Sequence, residues 1–255
     1  MSLKAGVVQF SPLYGRVEDN LERLESLIEA GAKQGAEILV LPEMAWTGYL
    51  WPQRHSLVLR AEEAGAGPGQ ERMQTLAQHW DLTLVYGFPE RSQDGLFNAQ
   101  GLAAPDGTLG PVYRKTHLFD ADTWWALPGD TGYLQWPSAW GAIGSGICMD
   151  LNYPDLADFH AGAGTDILAF STNWIDQNFD VLPYWAERLK GSQGPGFRRL
   201  ALFANRGTSE FGVPFRGQSA IFWDGECVAT LPGKDNGVLV AEVPLSPPTA
   251  VSPGR

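Results

Sequence analysis

The sequence predicts an α/β protein in which two helix-backed sheets pack against each other. Short apolar runs that read as buried strands alternate with amphipathic helices early in each half of the chain. Hairpin signals then close each half, as expected for sheets with antiparallel edges. A chain of 255 residues with 44% hydrophobic residues is long enough to bury a large core.

Lys4 to Phe10 is the first strand, closed by Ser11-Pro12. From Glu18 to Lys33 the residues Leu21, Leu24, Leu27 and Ile28 recur at helical spacing, with charges on the other face. Gly35 ends that helix, Glu37 to Leu41 is a buried strand, and Pro42 stops it. Trp46 to His55 is aromatic and irregular. Leu57 to Ala64 and Gln70 to Trp80 read as helices, followed by a strand from Leu82 to Phe88. Phe97 to Ala103 and Thr108 to Tyr113 flank Pro105-Asp106-Gly107, a hairpin signal. Asp120 to Asp130 reads as a loop. Ala142 to Ile147 is a buried strand that turns at Cys148 into a helix from Pro154 to about Ala161. Asp166 to Phe170 and Arg199 to Ala204 are further strands, separated by a helix over Leu182 to Leu189. Gly217 to Trp223 and Glu226 to Leu231 form a hairpin around Asp224-Gly225, and Val238 to Val243 is the last strand. The remaining tail has no face to bury.

Composition excludes several partner classes. There are 29 acids against 18 bases, a formal charge of -11, and no cluster of Lys and Arg to neutralise phosphates. No nucleic-acid partner is expected. No Gly-rich phosphate loop and no metal-binding spacing occurs, so neither a nucleotide cofactor nor a metal is expected. The two cysteines, Cys148 and Cys227, lie too far apart in sequence to suggest a disulfide framework, and Cys227 reads as structural. Without a signal segment or an apolar run of spanning length, the expectation is a cytoplasmic protein with no membrane partner.

Two residues stand where strands end. Glu43 follows a buried strand in LPEMAWTGY, and Cys148 ends another in GICMDLNYP. Lys115 follows a third in YRKTHLFD. The carboxyl edge of a sheet is where open α/β proteins bind ligands. Each residue also has a bland reading, as a helix-terminal acid, a buried small hydrophobe and a surface lysine. If they meet, a thiolate is the nucleophile, the carboxylate a general base and the ammonium a partner for a developing oxyanion. The backbone N–H of Met149 would add a second oxyanion donor. Attack on an amide would release ammonia and leave a thioester. A Cys-His arrangement would need His117, and no polar residue identifies itself as the orienter of its ring.

These three segments, in this order and spacing, resemble the signature segments of the carbon-nitrogen hydrolase (nitrilase) superfamily. The similarity runs from Lys4 to about Val243 and implies a single domain over 1–243, with 244–255 as a tail. It implies a four-layer α-β-β-α sandwich, no cofactor, a homodimer, and Glu43, Lys115 and Cys148 as the catalytic set. An exposed, stabilised Cys148 thiolate is expected to alkylate faster than Cys227. Members often carry a second glutamate after the lysine. This chain has no Glu between Lys115 and Asp150, and of Asp120, Asp122 and Asp130 the favoured replacement is Asp122. GICMDLN, PYWAERL and ANRGTSEFGVPFRGQSAIF resemble the protein N-terminal amidase branch, which deamidates N-terminal Asn or Gln. Asp122 or Asp176 would then hold the α-amine, with Trp125 and Trp174 lining the pocket. The alternatives are an ω-amidase or an N-carbamoyl amino-acid hydrolase, with Arg206 on the substrate carboxylate, or a binding protein that retains the fold without activity.

Overall fold

A computed structural model describes residues 2–192 and 196–245. The chain runs β1 (Ser2–Gln9), α1 (Val17–Lys33), β2 (Ile38–Val40), α2 (Arg54–Val58), α3 (Pro68–Trp80), β3 (Thr83–Arg91), β4 (Leu96–Ala103) and β5 (Tyr113–Arg114). It continues through β6 (Gln135–Ser138), β7 (Gly141–Ile147), α4 (Pro154–Gly162), β8 (Ile167–Ser171), α5 (Val181–Arg188) and β9 (Leu200–Ala204). A small ribbon of β10 (Ser209–Glu210) and β11 (Val213–Pro214) precedes β12 (Ala220–Trp223), β13 (Glu226–Thr230) and β14 (Gly237–Pro244).

Two six-stranded sheets result, ordered β14-β1-β2-β3-β4-β5 and β13-β12-β9-β8-β7-β6. Each has a parallel centre, β1-β2-β3 or β7-β8-β9, flanked by antiparallel edges. Side-chain alternation explains the layering. Ile38 and Val40 point into the core shared with β7, β8 and β9, while Leu39 and Leu41 point at the other side, where α1 and α3 pack. On α1 the buried stripe is Leu21, Leu24 and Ile28. Leu156 and Ala157 of α4 and Val181, Trp185 and Leu189 of or just after α5 cover the second sheet. The architecture is the α-β-β-α sandwich.

Polar groups tie the two sheets together beneath the carboxyl ends of their strands. Gln100 of β4 accepts from Gly146 N at 3.1 Å and donates to Ala169 O at 3.1 Å and Ser171 Oγ at 2.9 Å. Ser171 Oγ in turn donates to Leu41 O at 2.7 Å. Each such group would be costly if left unpaired in the interior.

Several elements differ from expectation. Residues 59–64 are not helical, because Glu62 bridges to Glu90 and its carboxylate accepts from Gly69 N and Gln70 N at the start of α3. The strand expected over Thr108 to Tyr113 shrinks to Tyr113–Arg114. Gly110 and Pro111 interrupt it, and Pro111 has no N–H to give a ladder. Strand β6 went unread because it contains Pro137, which an edge strand tolerates. Packing continues two residues past the expected boundary at Val243, since Pro244 pairs with Ser2 and Leu245 is buried, and 246–255 lie outside the described residues. Among the described residues no helix is long and apolar enough to cross a membrane.

A buried histidine makes the fold acid-sensitive. His160 Nε2 lies 2.8 Å from Ser145 O and Nδ1 2.9 Å from Thr165 Oγ1, which suits a neutral ring that donates at Nε2 and accepts at Nδ1. Burial pushes its pKa down from 6.5 to about 4. Because the folded value lies below the unfolded one, the contribution is present above pH 6.5 and lost as pH falls through 4. Urea unfolding from pH 7 to 4 is expected to show a loss of roughly 3 kcal/mol from this group. His160→Gln should flatten that slope, and an unchanged slope would contradict the assignment.

Candidate active site

Four strand ends converge on one cleft. Glu43 follows β2, Lys115 follows β5, Cys148 follows β7, and Thr172 and Asn173 follow β8. Gly87 of β3 lets the Glu43 backbone approach, since a Cβ there would lie 2.6 Å from Glu43 Cα. Cys148 itself has φ of +41°, a left-handed conformation that a non-glycine residue adopts at some energetic cost. Asp150 braces this turn. Its carboxylate accepts from Ile147 N at 2.9 Å, His117 N at 2.8 Å and the Tyr113 hydroxyl at 2.7 Å.

Beside the thiol lies a buried ionic cluster. Lys115 Nζ donates to Glu43 Oε1 at 2.7 Å and to Asp122 Oδ2 at 2.6 Å, and all three side chains are fully buried. The Asn98 amide donates to Glu43 Oε1 at 2.7 Å and to Asp122 Oδ1 at 3.1 Å. Asn173 N donates to Glu43 Oε2 at 2.9 Å. Of the three acids after Lys115, Asp122 is the one on the lysine. A 3-10 turn over Asp122–Trp124 brings its backbone close enough for the shorter side chain, and Phe119 N caps it at 2.9 Å. Asp130 instead pairs with Arg114 near the surface.

The charges explain the proton affinities. Burial raises the Glu43 pKa, and the nearby Asp122 charge raises it further while Lys115 lowers it. For Lys115, burial favours the neutral amine, but Asp122 and Glu43 more than offset it, so the ammonium is held. Cys148 is 8% exposed, and burial followed by the Glu43 charge pushes its thiol pKa up. The resting site is therefore a thiol beside a carboxylate, not an exposed thiolate. That removes the basis for expecting Cys148 to alkylate faster than Cys227, which is the exposed cysteine.

Cys148 opens onto a cavity of about 600 Å³ whose wall includes Tyr49, Met149, Asn152, Asn173 and Trp174. Among the described residues no aspartate, glutamate, lysine, arginine or histidine lines it. The other candidate residues lie elsewhere. Asp176 pairs with Lys234 at 2.7 Å and Arg216 at 3.3 Å outside the cavity wall. Arg206 is buried against Glu210 at 2.8 Å and borders a different cavity. Trp125 packs in the cluster of Met44, Tyr49 and Trp51 instead of reaching the wall. His117 pairs with Asp155 and stacks on Tyr153, so it does not line the cavity with Cys148. Among the described residues no group of three His, Cys, Asp or Glu side chains could hold a metal ion.

Asn98 went unread in the sequence. Its signal was there, since Asn98 and Gln100 are polar residues two apart within the otherwise apolar LFNAQGLA, and so share one face of a buried strand.

Comparisons with known proteins place the chain in a family. A nitrilase of Pyrococcus abyssi is 30% identical over 219 residues, covering 86% of this chain and 80% of its own. The protein N-terminal amidase of Schizosaccharomyces pombe is 29% identical over 285 residues, covering 94% and 99%. Among solved structures, an N-terminal amidase with an Asn-Glu peptide superposes with a TM-score of 0.83 at 16% identity, covering 95% of this chain and 97% of the other. A mutant amidase from Nesterenkonia sp. AN1, with acrylamide added at its active-site cysteine, superposes at 0.82 and 18% identity, covering 95% and 93%. At such identities these two show a shared fold. The family model described as carbon-nitrogen hydrolase matches residues 4–250, and the chain belongs to that family.

Proposed function

We propose that this protein hydrolyses an uncharged primary amide through a thioester on Cys148. The observation that carries this reading is the buried Glu43-Lys115-Asp122 cluster beside a thiol that opens onto a cavity without charged walls. Cys148 Sγ attacks the amide carbon while Glu43, whose proton affinity burial raises above that of an ordinary carboxylate, takes the thiol proton. Lys115 Nζ has three protons and spends two on Glu43 and Asp122, which leaves one for the oxyanion. The Met149 N–H is the second donor. Glu43 returns the proton to the amine, ammonia leaves, and a thioester remains. Glu43 then deprotonates a water that attacks the acyl carbon, and the acid departs as Cys148 regains its proton. Asp122 and Asn98 hold Lys115 and Glu43 in place.

The neutral wall supports small amides, alkyl or aromatic, packed against Trp174 and Tyr49. A substrate carboxylate would find no cation there, because Arg206 is paired elsewhere. An N-terminal Asn or Gln is the second reading, favoured by likeness to the fission-yeast N-terminal amidase along nearly the whole of both chains. Against it, Asp122 is committed to Lys115 and Asp176 to Lys234, so no acid on the wall meets the α-ammonium. A homodimer is part of the proposal, and light scattering tests it.

The test is ammonia release from propionamide and benzamide, from free and N-acetylated Asn peptides, and from succinamate, with Cys148→Ala as control. Turnover of the neutral amides at kcat/KM at least tenfold above the charged substrates is expected. Preference for the free-amine peptide would replace this substrate class with the N-terminal one, and turnover by Cys148→Ala would overturn the mechanism.

A further inference from the structure

Arg206 and Glu210 are buried, oppositely charged and absent from the cavity beside Cys148, which raises the question of what they hold. Glu210 uses its two oxygens differently. Oε2 pairs with Arg206 Nη1 at 2.8 Å, while Oε1 accepts from Tyr49 N at 3.0 Å and Leu50 N at 2.5 Å. The preceding residue, Gly48, has φ of +86°, and a Cβ there would lie 2.8 Å from Glu210 Oε2. The loop is therefore shaped to admit this carboxylate. Arg206 reaches the same tyrosine by a second route. Its guanidinium sits 4.5 Å over the Phe215 ring, and Phe215 meets Tyr49 edge-on at 6.2 Å.

Tyr49 is where these constraints end. It is 1% exposed, lines the cavity beside Cys148, and its ring centre lies 6.0 Å from Lys115 Nζ. Burial, with the charges of Asp122 and Glu43 adding to it, holds its hydroxyl protonated. Tyr49 thus forms a side wall of the cavity where it adjoins the ionic cluster.

We propose that the Arg206-Glu210 pair is a positioning unit that fixes Tyr49 as the wall that packs over Lys115 and narrows the cavity at Cys148. Arg206 then acts through Glu210 and Phe215, and binds no substrate carboxylate. The inference rests on the amidase reading of the site for its effect on turnover, but its effect on the thiol does not need turnover.

The experiment compares Glu210→Ala, Glu210→Asp, Tyr49→Ala and the double variants. Glu210→Asp keeps a charge opposite Arg206 while withdrawing the acceptor by a methylene, so it remains informative if Glu210→Ala does not fold. Two readouts are taken on folded protein. One is kcat/KM on the best amide. The other is the iodoacetamide rate at pH 8 for the Cys148 and Cys227 peptides separately. Displacing a wall near reacting groups costs on the order of a hundredfold, and kcat/KM is expected to fall by about that factor in Glu210→Ala and by about tenfold in Glu210→Asp. The double variants should be no worse than Tyr49→Ala alone, since they remove the same wall. Alkylation of Cys148 should rise at least threefold in each variant, because the charges facing it (Glu43 and Lys115) remain while its burial is relieved, and Cys227 should stay unchanged. Effects that multiply in the double variants, or a Cys148 rate that moves only together with Cys227, would overturn the proposal. If no amide is turned over by the wild type, the amidase reading fails, and the alkylation rates alone decide this one.

Discussion

Glu43→Gln is expected to lower kcat/KM by about 10² to 10⁴-fold, the range for a lost general base. The glutamine is isosteric, and its one oxygen can still accept from Lys115 and Asn98, whereas Asn173 N loses its acceptor, so the variant should fold with a modest loss of stability. It cannot take a proton from the thiol, return one to the amine, or activate water, so acylation and deacylation both fail. The same substitution should have the opposite effect on the thiol. The Glu43 charge is, after burial, the main influence that raises the Cys148 pKa, and Lys115 works against it. Removing the carboxylate leaves the ammonium dominant, and the thiolate becomes easier to form. Iodoacetamide should therefore label Cys148 faster in Glu43→Gln than in the wild type at the same pH. Slower labelling would mean that Glu43 draws the proton off in the resting enzyme, contrary to the charge balance described above. Retained turnover would remove Glu43 from the proton transfers altogether.

Lys115→Ala is expected to be damaging twice over. Turnover should fall below detection, since the oxyanion loses its cation. The fold should also suffer, which the sequence alone does not suggest. Two fully buried carboxylates, Glu43 and Asp122, would face each other with no cation between them. Removing one partner from a buried ionic cluster costs about 3–5 kcal/mol, or forces a carboxylate to bind a proton. Adding Asp122→Asn to Lys115→Ala removes one of the two orphaned charges and should recover much of that loss without recovering activity. Urea unfolding of the single and double variants checks this. Equal stability of Lys115→Ala and wild type would show that the cluster is not ionised as drawn.

Much of this site was legible because chemistry at a strand end breaks an apolar pattern. Glu43 and Cys148 each follow a run that would otherwise be entirely buried, and Lys115 follows Tyr113, a buried aromatic. The alternation of Ile38, Leu39, Val40 and Leu41 likewise contains the two faces of the sheet. The substrate pocket was less legible for a physical reason. A loop acid such as Asp176 and a base such as Arg206 look available in sequence, but the fold decides which partner each one meets. Asp176 meets Lys234 and Arg216, and neither distance is visible without the fold. Arg206 meets Glu210 only four residues on, at helical-looking spacing in a segment that is not helical. The state of the thiol is hidden in the sequence for the related reason that a cleft residue can still be desolvated, as Cys148 is at 8% exposure.

The measurement that tests the central claim most directly is the mass of the Cys148 peptide during turnover. Propionamide would be mixed with the enzyme, quenched in acid within the first turnovers, digested, and the peptide weighed with and without hydroxylamine. The mechanism predicts a propionyl adduct on Cys148 that hydroxylamine removes, and ammonia release that leads acid release. Ammonia release without any adduct, accompanied by activity in Cys148→Ala, would contradict it.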